Sequence, residues 1–128
     1  MTYAKINDNL YPVITINGKM NDKEWDDRPS KSIRLKMDYA EALTTWVEGV
    51  SWSTVEKNII TEMVTDEEGN PVLDESGNPI YRELEHVDEY DNSDYSVAGD
   101  ITIHRDGTVT VKMGKLTELE TALELLLA

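Results

Sequence analysis

Few side chains in this sequence could do catalytic chemistry, and the first to consider are its two histidines. His86 and His104 are the only imidazoles, and the chain has no cysteine. Neither histidine stands in a Ser-His-Asp order or near a Gly-x-Ser-x-Gly motif, so the sequence does not indicate a hydrolytic nucleophile. His86 with Glu89 supplies at most two ligands, whereas zinc needs three or four. We therefore expect no catalytic residue, no bound metal and no cofactor.

Carboxylates are the abundant reactive groups. The chain has 26 Asp and Glu against 12 Lys and Arg, which gives a formal net charge of −14. Eleven of these acids and one base, Arg82, lie in residues 66–94, so this segment alone carries −10. Phosphate contacts need Lys and Arg, so we expect no direct nucleic-acid binding. Repulsion from anionic lipids predicts no membrane binding, and a basic protein is the partner that this charge favours.

Two uses of the acids stay open at this point. Asp88, Asp91, Ser93 and Asp94 lie close together, as do residues 66–68, and calcium prefers such oxygen ligands. Neither stretch has the ligand spacing of an EF-hand, so a solvated acidic surface is the favoured interpretation. Paired carboxylates could also cleave a glycoside, and only their separation in space would decide that.

The clearest structural pattern that positions these groups lies at the C-terminal end. Ile101–Ile103 and Val109–Met113 alternate apolar and polar residues on either side of a turn with Gly107, which predicts an antiparallel hairpin. Thr117 and Glu120 form a capping-box motif that predicts the start of a helix. We expect this helix to pack on the hairpin through Leu119, Ala122, Leu123 and Leu126.

The N-terminal part predicts further strands. Tyr11–Ile16 alternates and is followed by Asn17-Gly18, a pair typical of tight hairpin turns. Residues 21–30 are polar and predict a loop, with Trp25 as its anchor in the core. Ser32–Met37 predicts another strand.

A first helix is predicted directly after that strand. Asp38 and Glu41 resemble a capping box, and Gly49 stands where a helix C-terminus favours glycine. The residues expected to face the core at helical spacing are Tyr39, Leu43, Trp46 and Val50.

The acidic segment belongs to a long predicted hairpin. Val50–Val64 and Ile80–Tyr90 both have strand composition, and fifteen extended residues would reach roughly 50 Å. Between them, residues 66–73 and 74–81 repeat the pattern acid-acid-x-Gly-Asn-Pro followed by two apolar residues. Each copy predicts a turn with a short extended piece. A decorated loop is the favoured interpretation, and a binding tip is the alternative.

These patterns together predict an α+β fold. We expect a twisted antiparallel sheet of about five or six strands, two short helices packed on one side, and a long acidic β-hairpin arm. Residues 1–128 would form a single domain, with a body of 1–52 and 95–128 and an arm of 53–94. No stretch predicts a membrane span, and the first residues lack a secretion signal, so we expect synthesis in the cytosol.

Several stretches resemble small uncharacterised proteins of phages and prophages of Gram-positive bacteria. The resemblance covers Tyr90–Gly99, Ile101–Lys115, Tyr11–Met37 and Gly49–Ser53. Genes of that family lie between the tail genes and the lysis cassette. The resemblance therefore implies a phage origin, synthesis in the host cytoplasm, and an accessory role in the tail or baseplate. It supplies no activity and no functional residue.

The sequence thus predicts a non-enzymatic protein that acts by protein–protein contacts, with a phage structural protein or a basic host protein as partner. Self-association stays open, and the exposed edge of the arm could add a strand to a partner's sheet. The alternative function is an acidic, anti-CRISPR-like inhibitor of a host defence nuclease, and a cell-wall hydrolase is a third. The predicted partner-binding residues are Asp66, Glu67, Glu68, Asp74, Glu75, Tyr81, Glu83, Glu85, Asp88, Glu89, Asp91 and Asp94.

Overall fold

A computed structural model describes residues 1–127, and over this range the chain forms one antiparallel sheet of seven strands and two short helices. The sheet order is β5-β4-β1-β2-β3-β7-β6. An α+β class is confirmed, although the sheet dominates. The elements in chain order are β1 (Thr2–Ile6), β2 (Asn9–Asp22), β3 (Arg28–Leu35), α1 (Tyr39–Thr45), β4 (Ser53–Met63), β5 (Tyr81–Asp91), β6 (Val97–Ile103), β7 (Val109–Gly114) and α2 (Glu118–Leu127).

The core forms where alternate residues of β1, β3 and β7 face α1 and the segment that follows it. Period-2 alternation puts the apolar residues of these strands on one side of the sheet. Trp46 and Trp52 cover these residues. Their ring centroids are 5.1 Å apart in an edge-to-face arrangement, which is a favourable geometry for a pair of aromatic rings. The buried core cluster consists of Ala4, Ile6, Ile33, Leu35, Met37, Ala42, Trp46, Trp52, Val109, Val111 and Met113.

The predicted turn at Asn17-Gly18 is wrong, because β2 continues through both residues and pairs them with Ser32 and Lys31 of β3. The turn between β1 and β2 lies earlier, at Asn7 and Asp8, whose φ angles are 51° and 65°. Asn and Asp tolerate this left-handed conformation, so the pair suits a two-residue hairpin. An Asn-Gly pair permits a tight turn, but the long ladder with β3 outweighs that local preference.

The C-terminal hairpin is confirmed. Ile101 pairs with Val111 and Ile103 with Val109, and Gly107 has a φ of 86° in the turn. The Oδ1 atom of Asp106 accepts hydrogen bonds from the backbone N–H and the hydroxyl of Thr108, at 3.0 and 2.6 Å.

Helix α1 is shorter than predicted and turns a different face inward. Ala42 and the following Trp46 are buried, but Tyr39 and Leu43 are exposed. Asp38 occupies the N-cap position, yet its side chain makes no capping hydrogen bond. The predicted apolar face was therefore wrong for two of its four residues.

Helix α2 forms the predicted capping box but does not pack as expected. Thr117 N donates to Glu120 Oε1 at 2.8 Å, and Glu120 N donates to Thr117 Oγ1 at 3.2 Å. None of its described side chains is buried, and Leu119 is 71% exposed. The prediction that its leucines cover the C-terminal hairpin is therefore wrong.

Arg28 attaches α2 to the sheet instead. This guanidinium is 4% exposed, and its Nη1 donates to Lys115 O at 2.9 Å and to Glu120 Oε1 at 2.8 Å. Its Nη2 donates to Glu120 Oε2 at 3.2 Å, so the carboxylate is held by two bonds. Planar guanidinium suits this two-point geometry better than ammonium does.

Trp25 lies in the β2–β3 turn, but it does not anchor that turn in the core as the sequence predicted, because it is half-buried and outside the core cluster. Its ring packs instead against β6 and β7, where two glycines make room for it. The Arg28 guanidinium lies 4.8 Å from the centre of its ring. A Cβ added at Gly99 would lie 2.8 Å from Trp25 Cη2 and 3.0 Å from Lys112 O, and one at Gly114 would lie 2.9 Å from Trp25 Cζ3. Close packing against this ring therefore requires glycine on both β6 and β7.

Replacing Gly99 by Ala should destabilise the protein by about 1–3 kcal/mol, because the new methyl group overpacks against a ring and a fixed backbone oxygen. Urea unfolding followed by tryptophan fluorescence measures this. Gly18→Ala is the matched control, since a Cβ there meets no atom closer than Ser30 O at 3.9 Å. Equal loss of stability in both variants would contradict the role given to Trp25.

Stability should fall between about pH 5 and pH 2, partly through Glu120. Its hydrogen bond from Arg28, with help from the Thr117 N–H, lowers the pKa of Glu120 from 4.5 to about 2. A lowered folded-state pKa means that the carboxylate stabilises the fold above its ordinary pKa and loses this contribution as the pH falls toward 2. Glu120→Gln should therefore flatten the decline measured by urea unfolding at pH 7 and pH 3, whereas Glu118→Gln, which is exposed, should leave it unchanged.

Candidate functional site

The structure places five of the twelve predicted partner-binding residues on one side of one strand. Tyr81, Glu83, Glu85, Glu89 and Asp91 occupy alternate positions of β5, so their side chains share a face. The others are dispersed. Asp88 lies on the opposite face of β5, Asp94 follows it in a loop, and the remaining five, in two turns beyond the strand, are Asp66, Glu67, Glu68, Asp74 and Glu75.

Strand β5 lies at an edge of the sheet, and within residues 1–127 it pairs with β4 alone. The ladder contains 11 consecutive pairs, from Ser53 opposite Asp91 to Met63 opposite Tyr81. Asn92 N donates to Trp52 O at 2.9 Å at one end of the ladder. This bond shows that the even-numbered residues of β5 direct their backbone groups toward β4, and antiparallel geometry then turns those of the odd-numbered residues toward solvent.

The side chains of the odd-numbered residues belong to the side of the sheet that faces away from the core. Tyr3 and Lys5 of β1 lie on this side, because their neighbour Ala4 points into the core. We call this side of β1, β4 and β5 the outer face. Its principal residues are Tyr3, Lys5, Val55, Lys57, Ile59, Met63, Tyr81, Glu83, Glu85, Val87, Glu89 and Asp91.

The outer face exposes large apolar side chains among its carboxylates. Ile59 is 70% exposed, Tyr81 60% and Val87 49%. Val55, opposite Glu89 on the same face, is by contrast 3% exposed. Apolar residues grouped in this way on a sheet face are typical of interaction surfaces.

Two adjoining clefts of about 490 and 350 Å³ lie at the end of the outer face that is next to the β1–β2 turn. Both are lined by Lys5, Asp8 and Glu89, and Lys5 Nζ lies 3.1 Å from Glu89 Oε1. Hydrogen bonds from the Ser53 hydroxyl and from Lys5 lower the pKa of Glu89. The backbone N–H and hydroxyl of Ser93 likewise lower the pKa of Asp91.

The direction of these pKa shifts can be compared with what a glycosidase requires of its two carboxyl groups. A glycosidase needs one carboxylic acid with a raised pKa as its proton donor, and Glu89 and Asp91 are both shifted the other way. These shifts favour the ionised form of both carboxylates. Fixed charge of this kind recognises cations.

Part of the negative charge is already compensated inside the protein. Glu89 is paired with Lys5, and Glu85 lies 3.7 Å from Lys57. On the opposite side of the hairpin, Arg82 lies 3.0 Å from Glu62. Among the described residues, neither Glu83 nor Asp91 of the outer face has a cation within 4 Å, but Asp91 accepts hydrogen bonds from the N–H and the hydroxyl of Ser93, both at 2.9 Å.

The two repeated turns meet at a closed ring of backbone hydrogen bonds. Val72 N donates to Val64 O at 2.9 Å, Ile80 N donates to Val72 O at 3.0 Å, and Val64 N donates to Ile80 O at 2.8 Å. Three hairpins radiate from this ring, since Met63 pairs with Tyr81, Thr65 with Pro71, and Leu73 with Pro79. We call residues 64–80 the tip.

The first acid of each repeat has a structural role in its turn. Asp66 Oδ1 accepts hydrogen bonds from the N–H groups of Glu68 and Asn70, at 3.0 and 2.9 Å. Asp74 Oδ1 accepts the equivalent bonds from Ser76 and Asn78, both at 2.9 Å. Sequence reasoning identified both turns but missed the ring, although the eight-residue period already spaces Val64, Val72 and Ile80 equally.

The two histidines lie on different parts of the sheet and make separate contacts. His86 Nε2 lies 3.2 Å from Asp88 Oδ2, and His104 Nε2 is bonded to Thr110 Oγ1 at 2.6 Å on another part of the sheet. Residues 1–127 contain no group of three His, Asp or Glu side chains arranged to hold a metal ion. Neither helix of these residues is long and apolar enough to cross a membrane.

Comparisons of this chain with protein-family models, with curated proteins and with solved structures found no match.

Removing the Asp74 carboxylate should open the second turn without unfolding the protein. Asp74→Ala deletes the acceptor for two N–H groups, so hydrogen exchange at Ser76 and Asn78 should accelerate several-fold while exchange in β3 and β7 stays unchanged. Glu75→Ala, at the next position, is the control and should leave hydrogen exchange unchanged both in the second turn and in β3 and β7. Unaltered exchange in the Asp74 variant would contradict the role given to the carboxylate.

Proposed function

We propose that this chain is a non-enzymatic protein that binds another protein through the outer face. The observation that carries the proposal is the exposure of Ile59, Tyr81 and Val87 on a sheet face bordered by ionised carboxylates. Large apolar side chains ringed by polar groups are the usual centre of a protein interface.

The charge indicates a basic partner. The net charge is −14, and residues 66–94 contribute −10 of it from one stretch. A concentrated negative field attracts a cationic surface from a distance and weakens as salt screens it. Association should therefore be fast at low ionic strength and should slow markedly as salt rises.

The proposal includes the predicted arm. β1 pairs with β4 only from Ser53 to Glu56, so β4 beyond this point has β5 as its strand neighbour. From Asn58 onward, every residue of β4 is exposed. Support for an arm comes from this exposure, and the ring of hydrogen bonds would keep its far end ordered.

The biological setting that we propose is a phage tail or baseplate, in which the protein would be an accessory or virion-associated component. This setting rests on the sequence resemblance of Tyr11–Met37, Gly49–Ser53 and Tyr90–Lys115 to small phage proteins. The partner would then be a phage structural protein, or a basic host protein met in the host cytoplasm.

Inhibition of a host defence nuclease is the second candidate function. The observation in its favour is the spacing of Glu83 and Glu85 on an edge strand, about 7 Å apart from the rise per residue. A row of charges at such spacing could occupy a basic channel meant for nucleic acid. The pairing of Glu85 and Glu89 with lysines of the same chain weakens this candidate, because it reduces the charge that they present.

Tyr81 and Tyr90 provide a matched test, since they lie on the same strand, are 60% and 58% exposed, and point to opposite faces. Tyr81→Ala should weaken binding to the partner roughly tenfold or more, as expected for a large aromatic side chain that becomes buried in an interface. Tyr90→Ala should leave binding within about twofold. The partner is first identified by mass spectrometry of proteins that wild type captures from disrupted virions, and its dissociation constants are then measured by calorimetry.

Two results would oppose the proposal. Equal effects of the Tyr81 and Tyr90 variants would mean that the outer face is not the binding surface. Absence of the protein from mass spectra of purified virions, together with salt-sensitive binding to a nuclease, would favour the second candidate instead.

A further inference from the structure

We infer that the partner supplies an extended segment that joins the sheet as a new strand along β5, with Lys or Arg at alternate positions. This inference rests on the proposed function and specifies how the outer face is used. Two independent features of β5 lead to it, one in the backbone and one in the side chains.

The backbone feature is a long edge that has no pairing strand within residues 1–127. The odd-numbered residues of β5 direct their N–H and C=O groups away from β4, as the Asn92–Trp52 bond and the continuous register establish. The ladder has no register shift along its 11 pairs, so these groups are evenly spaced over the strand. Such an edge can accept a further strand along its whole length.

The side-chain feature is that the same odd-numbered residues carry the outer-face pattern. From Tyr81 to Asp91 the pattern is aromatic, acid, acid, apolar, acid, acid. Directly opposite side chains in adjacent antiparallel strands lie about 5 Å apart and stabilise the pair when their charges are opposite. An antiparallel partner strand should therefore read cation, cation, apolar, cation, cation, aromatic or apolar at alternate positions.

The same acids make a second copy of this chain a poor occupant. Two β5 edges placed side by side would bring carboxylates opposite carboxylates, which destabilises a strand pair. Charged side chains on an edge strand are a common protection against such self-pairing. The edge of β5 is thus closed to copies of itself and open to a basic strand.

Glu83 should contribute most to this recognition, because Asp91, which also has no cation within 4 Å among the described residues, already accepts two hydrogen bonds from Ser93. Glu85 and Glu89 are already paired with lysines of the same chain. A cation of the partner would have to compete with these lysines for the carboxylates. Glu83 has no cation within 4 Å among the described residues and is exposed. A partner cation opposite Glu83 therefore gains an interaction without breaking one.

A synthetic peptide tests the inference directly. The peptide KTKTVTKTKTY matches β5 in length and alternates as required, and KKKKTTTTTVY has the same composition and charge without the alternation. Fluorescence anisotropy at low salt should show that the first binds roughly tenfold or more tightly than the second. On binding, hydrogen exchange should slow at Glu83, Glu85, Val87 and Glu89, whose N–H groups face outward, while that of the even-numbered residues, already bonded to β4, changes little.

Two variants separate the edge from the charge. Val87→Pro removes one outward N–H, and proline is tolerated on edge strands where the N–H faces solvent. The Val87→Pro variant should bind the alternating peptide roughly tenfold more weakly than wild type, whereas the Val87→Thr variant should bind it nearly as tightly as wild type. The combined variant Glu83→Gln, Glu85→Gln and Glu89→Gln should also lose binding, through charge.

Each remaining outcome overturns the inference. If the charge variant loses binding but Val87→Pro does not, or if both peptides bind equally, the outer face binds cations without strand addition and the proposed function survives. If neither peptide binds, the acids serve only to prevent edge pairing. If the Val87→Pro variant does not fold, hydrogen exchange of the wild-type protein with the alternating peptide still tests the inference. Unchanged exchange at the outward N–H groups would exclude a new strand.

Discussion

The unbroken ladder between β4 and β5 is the constraint on which the candidate surface depends. Antiparallel pairing couples two properties of every residue, the face that its side chain occupies and the direction of its backbone groups. Because the ladder runs through 11 pairs without a register shift, the coupling holds from Tyr81 to Asp91. Acids, exposed apolar groups and free backbone groups therefore coincide on the same residues. A single bulge would have moved half of the acids to the other face.

At the opposite end of the sheet, a different interaction holds the body together. Arg28 is buried and joins Glu120 of α2, the backbone of Lys115 and the ring of Trp25. Its Nη1 and Nη2 groups donate to Glu120 and to the carbonyl of Lys115, whereas its buried Nε has no hydrogen-bond partner among residues 1–127. Helix α2 therefore owes its position to charge and hydrogen bonding, although its composition suggests a helix held by leucines. The leucine side chains of this helix are exposed.

Prediction from sequence succeeded where a pattern is local and failed where long-range pairing competes with it. The β4–β5 and β6–β7 hairpins, the repeated turns and the capping box of Thr117 were all predicted, since alternation and turn residues act over a few positions. The turn at Asn17-Gly18 and the buried faces of both helices were wrong. The β2–β3 ladder overrides the turn preference of Asn17-Gly18, and the hydrogen bond from Arg28 to Glu120 fixes the position of α2. Both contacts involve residues that lie outside the local sequence pattern from which the prediction was made.

The sequence by itself determined the charge, its concentration in residues 66–94, the absence of cysteine chemistry and the alternation of Glu83, Glu85 and Glu89. It could not determine that β5 lies at an edge, because the order of strands depends on which distant segments pair. Only the tertiary structure decided that the acids and the apolar side chains share a face turned away from the core. It also decided that the outward backbone groups of β5 pair with no other strand of the described chain. Composition is a property of residues, whereas an edge exists only in relation to every other strand.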